Sequence, residues 1–203
     1  MIHPEPSRIL PAELDPEIQR LIVAGRVSVV HITEPRARHL QPGDMVWVRE
    51  GLTFPAQQPG GDWLAVVYGS DARRELIRWP AAIARPQAKW LPASAMPVHA
   101  SRLTLIVRAV REMRLQQVDE QHAIAAGVAI ERDGYVNPLP VHDAAVHADW
   151  RQAFGGMWDC MRSTDTLRGG AWSDNPEVTQ IRFDAFARNV GDMATGIGSG
   201  GAR

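Results

Sequence analysis

Apolar and polar residues alternate along segment 102–110, in which Leu103, Leu105 and Val107 share one face. This two-residue period predicts a long, half-buried β-strand. Segment 45–49 is rich in β-branched and aromatic residues and predicts a second strand. Because the turn-forming sequence Pro-Gly-Asp directly precedes it, the chain should enter this strand from a tight turn.

Two shorter apolar runs predict a β-hairpin. They are segments 63–68 and 75–79, and the loop between them contains Gly69-Ser70-Asp71, residue types that favour turns. Further strands are predicted from a similar composition over 27–32, 128–130 and 178–183.

A different period, with apolar residues mostly three and four positions apart, indicates helices. It is clearest over 146–161, at Val146, Trp150, Ala153, Phe154, Met157, Trp158 and Met161. The adjacent Gly155 and Gly156 weaken this prediction, because each glycine costs about 1 kcal/mol inside a helix. Shorter helices are predicted over 15–25 and 119–126, because an aspartate can cap the first turn of each and a glycine supplies the stop signal.

The order of these elements predicts an α+β fold in one domain over residues 14–187. An extended segment, 1–13, precedes the domain, and a proline-rich stretch, 80–97, should make an irregular excursion over the surface. The glycine-rich segment 188–203 lacks the apolar residues needed to fold, so we expect a disordered tail.

Composition limits the possible functions. The formal net charge of −1, from 22 basic and 23 acidic residues, gives no general electrostatic case for nucleic-acid binding, so any basic surface must be local. The single cysteine, Cys160, excludes an internal disulfide and a multi-cysteine zinc module. The sequence contains neither a leader-like start nor a run of roughly 18 apolar residues. We therefore expect a cytoplasmic protein without a membrane segment.

Five short motifs follow one another along the chain. They are Ala24-Gly-Arg26; Pro42-Gly-Asp-Met-Val-Trp-Val-Arg-Glu50; Met96-Pro-Val-His-Ala-Ser-Arg-Leu-Thr-Leu105; Val118-Asp-Glu-Gln-His-Ala-Ile-Ala-Ala-Gly-Val128; and Met157-Trp-Asp159 with Trp172-Ser-Asp-Asn-Pro176. This order, over most of residues 14–185, resembles the ASCH domains of the PUA-like superfamily, in particular a branch common in phages and prophages. The resemblance implies a small PUA-like β-barrel with flanking helices, and a cleft beside the first helix that holds RNA or a modified nucleoside.

Some ASCH proteins are similar to hydrolases of acylated nucleosides, and these carry a lysine, a threonine and a glutamate at set positions. The corresponding positions here hold Val27, Val30 and Ala126. A lysine and a carboxylate in a cleft can exchange protons and activate a nucleophile, whereas valine and alanine side chains cannot. Because the only lysine in the chain is Lys89, we interpret the chain as non-catalytic by this route.

We predict a ligand-binding cleft that combines basic, polar and aromatic side chains, the usual combination for single-stranded nucleic acid. Its residues are Arg26, His31, Trp47, Arg49, Glu50, Ser101, Arg102, Trp172 and Asn175, with Trp158 as a further stacking candidate. A structural interpretation stays open. The tryptophans can fill the core, Arg49 and Glu50 can form an internal ion pair, and segment 172–176 can be an ordinary turn.

Metal and serine-hydrolase sites are not favoured. His142, Asp143 and His147 could suggest zinc, but histidines five residues apart lie about 140° apart on a helix, and no third strong ligand is near. Ser101 has His99 as a neighbour, yet neither a nucleophile elbow nor an orienting acid is evident. We interpret the lone His99 as a structural residue and expect no metal and no cofactor.

The sequence therefore favours an ASCH-related module that binds RNA or a nucleotide-type ligand without turnover. One alternative is a nucleoside amidohydrolase or ribonuclease that uses Glu50, His31 or Asp159 in place of the usual residues. Another is a protein-interaction module of a phage or prophage. Fold alone does not decide among these functions.

Overall fold

The computed structural model describes residues 8–139, 145–164 and 169–194. In these residues the strands are β1 (Ile9–Glu13), β2 (Val29–Ile32), β3 (Met45–Arg49), β4 (Leu52–Thr53), β5 (Trp63–Tyr68), β6 (Arg74–Arg78), β7 (Trp90–Leu91), β8 (Thr104–Arg114), β9 (Ala129–Glu131), β10 (Gly134–Val136), β11 (Val146–His147) and β12 (Glu177–Phe186). The helices of the same residues are α1 (Pro16–Val23), α2 (Glu120–Ala125), α3 (Trp150–Thr164) and α4 (Val190–Ala194). The predicted α+β class is confirmed. No sheet in the described part of the chain closes into a barrel, so the predicted barrel is not confirmed.

The chain divides into two compact units. Unit 1 contains the described residues of 1–20, 44–105 and 185–203, and unit 2 contains those of 21–43 and 106–184. Each unit is assembled from segments that are distant in sequence. The domain bounds 14–187 stay a prediction. Within the described ranges, no helix is long and apolar enough to cross a lipid bilayer.

Unit 1 is built on a four-stranded antiparallel sheet with the strand order β6-β5-β4-β7. Strands β5 and β6 form the predicted hairpin. One face of the sheet is buried, and its core cluster comprises Leu52, Leu64, Val66, Tyr68, Trp79, Met96 and Ala100. In the same unit β3 pairs in parallel with β1, and the backbone N–H of Val48 donates to the carbonyl oxygen of Leu103 at 2.9 Å. The end of β3 therefore lies beside the segment that leads into β8.

Unit 2 contains the neighbouring strands β8, β12 and β2, of which β12 and β2 are antiparallel. Strands β9, β10 and β11 form a small antiparallel sheet. Helix α3 buries the stripe that its sequence period predicts, with Ala153, Phe154, Met157, Trp158 and Met161 all inaccessible. Helix α2 begins at the predicted cap, because Asp119 Oδ1 accepts a hydrogen bond from the backbone N–H of His122 at 2.9 Å.

Helix α3 begins at Trp150, four residues later than the sequence period predicts. Asp149 Oδ1 accepts a hydrogen bond from the backbone N–H of Arg151 at 2.9 Å. Asp149 therefore supplies a start signal that the apolar period alone does not show. Val146 and His147, which the prediction included in the helix, instead pair with β10 as strand β11.

Both ends of the chain contain structure that the sequence did not predict. Strand β1 lies within the segment expected only to be extended. Helix α4 lies within the segment expected to be disordered, where Val190 is buried and Asn189 Oδ1 accepts a hydrogen bond from the backbone N–H of Gly191 at 2.8 Å. The remainder of the predicted tail, 195–203, lies outside the described residues.

Two adjacent glycines in α3 offer a matched test of the packing. A Cβ at Gly155 would lie 3.0 Å from the ring of Trp172, whereas a Cβ at Gly156 would meet no described atom within 4 Å. Gly156→Ala should therefore raise the free energy of unfolding by about 1 kcal/mol, the ordinary gain in helix propensity. Gly155→Ala should lower it, because the Trp172 ring has to move. Urea denaturation of both variants measures the difference, and equal gains would show that the ring does not pack on this turn.

Candidate functional site

The nine residues predicted to line one cleft are divided between the two units. Unit 1 contains Trp47, Arg49, Glu50, Ser101 and Arg102, and unit 2 contains Arg26, His31, Trp172 and Asn175. Three of the unit 1 residues, Glu50, Ser101 and Arg102, lie at or next to a cleft within that unit. The candidate site is therefore the cleft of unit 1.

A cluster of charged and polar side chains around Arg102, with Glu50 and Ser70 buried and Asp71 exposed, lies beside this cleft. The Arg102 guanidinium donates hydrogen bonds to both carboxylate oxygens of Glu50, each at 3.0 Å. It also donates to Asp71 Oδ1 at 2.8 Å and to Ser70 Oγ at 3.1 Å, and Glu75 Oε1 lies 3.5 Å from its Nη1 atom. The Glu50 carboxylate is only 3% exposed, and the Ser70 hydroxyl donates to it. We call these five residues the Arg102 cluster.

The buried side chain of Tyr68 packs against Arg102 of the Arg102 cluster. The Arg102 guanidinium lies over its ring, 3.9 Å from the ring centre, and the phenol donates to the carbonyl oxygen of Ala100 at 2.8 Å. Burial, reinforced by the negative charge of Glu75, raises the pKa of Tyr68 well above its ordinary value. The phenol therefore stays protonated and holds the ring in place.

The Arg102 cluster corrects one sequence interpretation. Arg49 and Glu50 do not form an internal pair: Arg49 pairs with Glu13 at 3.1 Å and donates to the carbonyl oxygen of Ser94 at 3.1 Å. Successive residues near the end of a strand point to opposite faces, so the two side chains diverge. Ser70 and Asp71 were missed as partners because the sequence marked them only as a hairpin loop.

A cleft of about 780 Å³ lies next to the Arg102 cluster, and its lining includes Arg78, Trp79, His99, Ser101, Arg102 and Asn189. Its volume falls within the range that small-molecule sites occupy. Ser101 Oγ lies within hydrogen-bond distance of the carbonyl oxygens of Val48 and Leu103, at 3.1 and 3.2 Å. Because the hydroxyl has a single hydrogen and directs it to backbone, Ser101 is a structural residue of the cleft wall.

His99 carries the one chemical feature of the cleft that the sequence did not predict. Its Nε2 atom is buried and has no hydrogen-bond partner among the described residues. The ring stands edge-on to Trp79, 4.5 Å between centres, and Trp79 is itself held by a hydrogen bond from Nε1 to the carbonyl oxygen of Ile83. Burial lowers the pKa of His99, so the imidazole is neutral at neutral pH. The interpretation of His99 as a structural histidine with all its hydrogen bonds made is therefore wrong for Nε2. A single histidine in a sequence does not indicate whether its ring nitrogens will have partners.

The unit 2 residues of the predicted cleft make internal contacts. His31 is buried, its Nε2 lies 3.0 Å from the amide nitrogen of Gln180, and its ring contacts the edge of Phe154. Trp172 packs on Phe154 at 5.7 Å and donates its backbone N–H to Asp159 Oδ1 at 2.8 Å. These contacts organise α3 and the turn after it. A ligand-binding role for His31 and Trp172 stays a prediction.

The remaining predicted positions differ in exposure. Asn175 takes a left-handed backbone conformation, with φ of 46°, and its Oδ1 accepts from the backbone N–H of Gln116 at 2.8 Å, which is the role of a turn residue. Arg26 is exposed and Trp47 is half-buried. Trp158 is fully buried and donates from Nε1 to the carbonyl oxygen of Gly170, so it offers no stacking surface.

The positions that correspond to the hydrolytic residues of ASCH proteins lie in the apolar interior of unit 2. Val27, Val30 and Ala126 are 3%, 6% and 5% exposed. A Cβ at Gly127 would lie 3.1 Å from Val27 Cγ2, so there is no room for a longer side chain between these segments. Of the residues that could have suggested zinc, His142 and Asp143 lie outside the described residues. In the residues that the structure does describe, no group of three or more histidine, cysteine or acidic side chains is placed to hold a metal ion.

No protein-family model matches the chain, and no curated protein matches it. Among solved structures, the chain is similar to protein EF3133 from Enterococcus faecalis V583, of the family DUF984. The match covers 100% of this chain and 88% of that chain, with 10% sequence identity and a TM-score of 0.38. A likeness this weak carries no argument about function, and the ASCH assignment stays a resemblance.

The Arg102 cluster should determine much of the stability of unit 1. Arg102→Leu leaves the Glu50 carboxylate buried without a cation, which should lower the free energy of unfolding by about 3–5 kcal/mol. Arg108→Leu is the matched control, since Arg108 and Asp184 form an ion pair that is about half exposed and should change stability by less than about 1 kcal/mol. The double variant Arg102→Leu with Glu50→Leu should recover part of the loss. Equal effects of Arg102→Leu and Arg108→Leu in urea denaturation would contradict the assignment.

The pH dependence of stability should include a contribution from Asp71. Burial opposes ionisation of Asp71, but hydrogen bonds from the Arg102 side chain and the Arg73 backbone outweigh it and hold the pKa of Asp71 below its ordinary value. A lowered folded-state pKa stabilises the fold above about pH 4, and this stabilisation is lost as the pH falls through the folded-state value. The stability difference between wild type and Asp71→Asn should therefore shrink as the pH falls below about 4. A difference that stays constant across this range would contradict the shift.

Proposed function

We propose that this chain is an ASCH-related, PUA-like module that binds a nucleotide-type ligand, free or within RNA, in the cleft of unit 1 without turning it over. The observation that carries the proposal is the buried, unpartnered Nε2 of His99, a residue that lines a cleft of suitable volume. A buried polar atom without a partner costs about 1–3 kcal/mol. A ligand that supplied the missing hydrogen bond would recover that free energy.

The chemistry of the cleft matches a ligand that combines a base with an anionic group. A neutral imidazole can donate to, or accept from, the edge of a base. Arg78 lines the cleft, is exposed, and has no carboxylate within ion-pair distance among the described residues, so it is available to a phosphate. Arg102 is not available in this way, because Glu50, Asp71 and Glu75 surround its guanidinium.

The proposed absence of turnover is supported by the residue types at the positions that correspond to the reactive residues of the resembling family. Val27, Val30 and Ala126 are apolar and buried, and Ser101 directs its hydroxyl to backbone carbonyls. The alternative of an amidohydrolase or ribonuclease with altered residues would need a carboxylate free to exchange protons. Of the residues named for that alternative, Glu50 is committed to Arg102, and His31 and Asp159 belong to unit 2 and do not line the cleft, so that alternative has less support. The PUA-like barrel is supported by the order of the sequence motifs.

Isothermal titration with ribonucleoside 5′-monophosphates at low salt tests the proposal. His99→Leu keeps the apolar contact with Trp79 but removes the hydrogen-bonding nitrogen, so it should weaken binding by about ten-fold without lowering the stability of the free protein. Arg78→Gln should also weaken binding and reduce its salt dependence. Arg111→Gln is the control, because Arg111 is exposed but does not line the cleft.

Two results would count against the proposed site. One is the lack of binding by any nucleotide, and the other is binding that His99→Leu and Arg78→Gln leave unchanged. The proposed lack of turnover is tested by product analysis after prolonged incubation with RNA and with acylated nucleosides. We expect no hydrolysis of either.

A further inference from the structure

The second face of the four-stranded sheet in unit 1 is largely exposed. The register places Trp63 opposite Arg78, Ala65 opposite Leu76, and Val67 opposite Arg74, with Thr53 and Trp90 continuing the last row across β4 and β7. Residues that face each other across a sheet point to the same side. Of these eight positions, Ala65 is buried, Val67 is half-buried and the other six are exposed. We call this surface the tryptophan face.

The tryptophan face carries two large aromatic rings that the core does not use. Trp63 is 48% exposed and Trp90 is 58% exposed, and Leu76, also on this face, is 58% exposed. By contrast, Trp79 and Trp158, which contribute to the cores of their own units, are 3% and 0% exposed. Exposed tryptophan on an ordered sheet has a cost in water and is typical of binding surfaces.

The charges of the tryptophan face are all positive. Arg74 and Arg78 lie on it, and neither has a carboxylate within ion-pair distance in the part of the chain that the structure describes. None of its eight positions holds an acidic residue. The acidic residue next to Arg74, Glu75, points to the opposite face, where it belongs to the Arg102 cluster. The tryptophan face therefore carries arginines without acidic neighbours in its own rows, although the whole chain is nearly neutral.

We propose that the tryptophan face binds single-stranded RNA, with bases stacked on Trp63 and Trp90 and phosphates held by Arg74 and Arg78. Stacking on aromatic rings together with a positive groove is the general means of binding single strands. The choice of RNA, and not another polyanion, rests on the ligand class of the proposed function. The tryptophan face and the cleft share Arg78, but the two tryptophans lie on the opposite side of the sheet from Tyr68 and Leu64.

The spacing of the two rings suits a short length of single strand. Trp63 and Trp90 are separated by two strand-to-strand steps across the sheet and by four residues along β5, from Trp63 to the Val67 row. With about 4.8 Å per strand and about 3.4 Å per residue, their Cα atoms lie about 17 Å apart. Arg78 is directly opposite Trp63, and Arg74 lies in the Trp90 row, so each ring has a cation in its own row.

Fluorescence polarisation with a labelled single-stranded RNA of about 12 nucleotides at low salt tests the proposal. Trp63→Leu and Trp90→Leu keep apolar bulk but remove the ring, so each should weaken binding by about ten-fold, whereas Trp63→Phe and Trp90→Phe should retain most of the affinity. Arg74→Gln should reduce the slope of log affinity against log salt by about 0.7. Ile130→Ala and Arg111→Gln are controls at exposed positions of unit 2 and should have no effect.

The outcomes separate this proposal from the proposed function. His99→Leu should weaken mononucleotide binding but leave the part of RNA binding that depends on the two tryptophans. Trp63→Leu and Trp90→Leu should weaken RNA binding but leave mononucleotide binding unchanged. The proposal is wrong if the wild type does not bind RNA or if the leucine variants bind it normally. A concentration-dependent dimer that Trp63→Leu abolishes would assign the face to a second copy of the chain and would equally overturn it. Melting temperatures close to that of the wild type establish that each variant is folded.

Discussion

A buried carboxylate sets the main constraint on unit 1. Glu50 is almost inaccessible, and a charge in that position is tolerated only with a cation and with hydrogen bonds to its oxygens. Arg102 supplies a two-pronged contact of the strongest geometry, and Ser70 adds a further hydrogen bond. The three residues come from the end of β3, the β5–β6 hairpin loop and the segment before β8. The ion pair therefore determines how these three segments meet.

The same ion pair limits the chemistry that the cleft can perform. An arginine surrounded by carboxylates has little net charge to offer a phosphate, and it holds the pKa of Asp71 below its ordinary value. The buried phenol of Tyr68 remains protonated. Among the described lining residues, Arg78 has an exposed guanidinium and His99 has a nitrogen without a partner. We base the proposal of ligand binding without turnover on this distribution.

Sequence period and turn chemistry were sufficient for the longer elements, such as the β5–β6 hairpin and helix α3. They were not sufficient for the short strands β4 and β7, since two residues carry no detectable period. Glu50, Ser101 and Arg102 could be selected from the sequence, but their partners could not, because Ser70 meets Arg102 only after the hairpin has docked. Composition likewise did not tell which tryptophans are exposed.

The register of the β5–β6 hairpin would have indicated that Trp63 is exposed. Once β5 and β6 are aligned, β6 alternates between Arg74, Leu76 and Arg78 on one face and Glu75 and Ile77 on the other. An apolar core under the Ile77 side forces the arginines and Trp63 outward. A net charge of −1 then says little about binding, because ions screen charges beyond about 10 Å at 0.1 M salt and a bound phosphate responds mainly to the nearest side chains. On the tryptophan face those side chains are arginines, and the acidic residues of β6 and its loop are paired with Arg102 on the other side of the sheet.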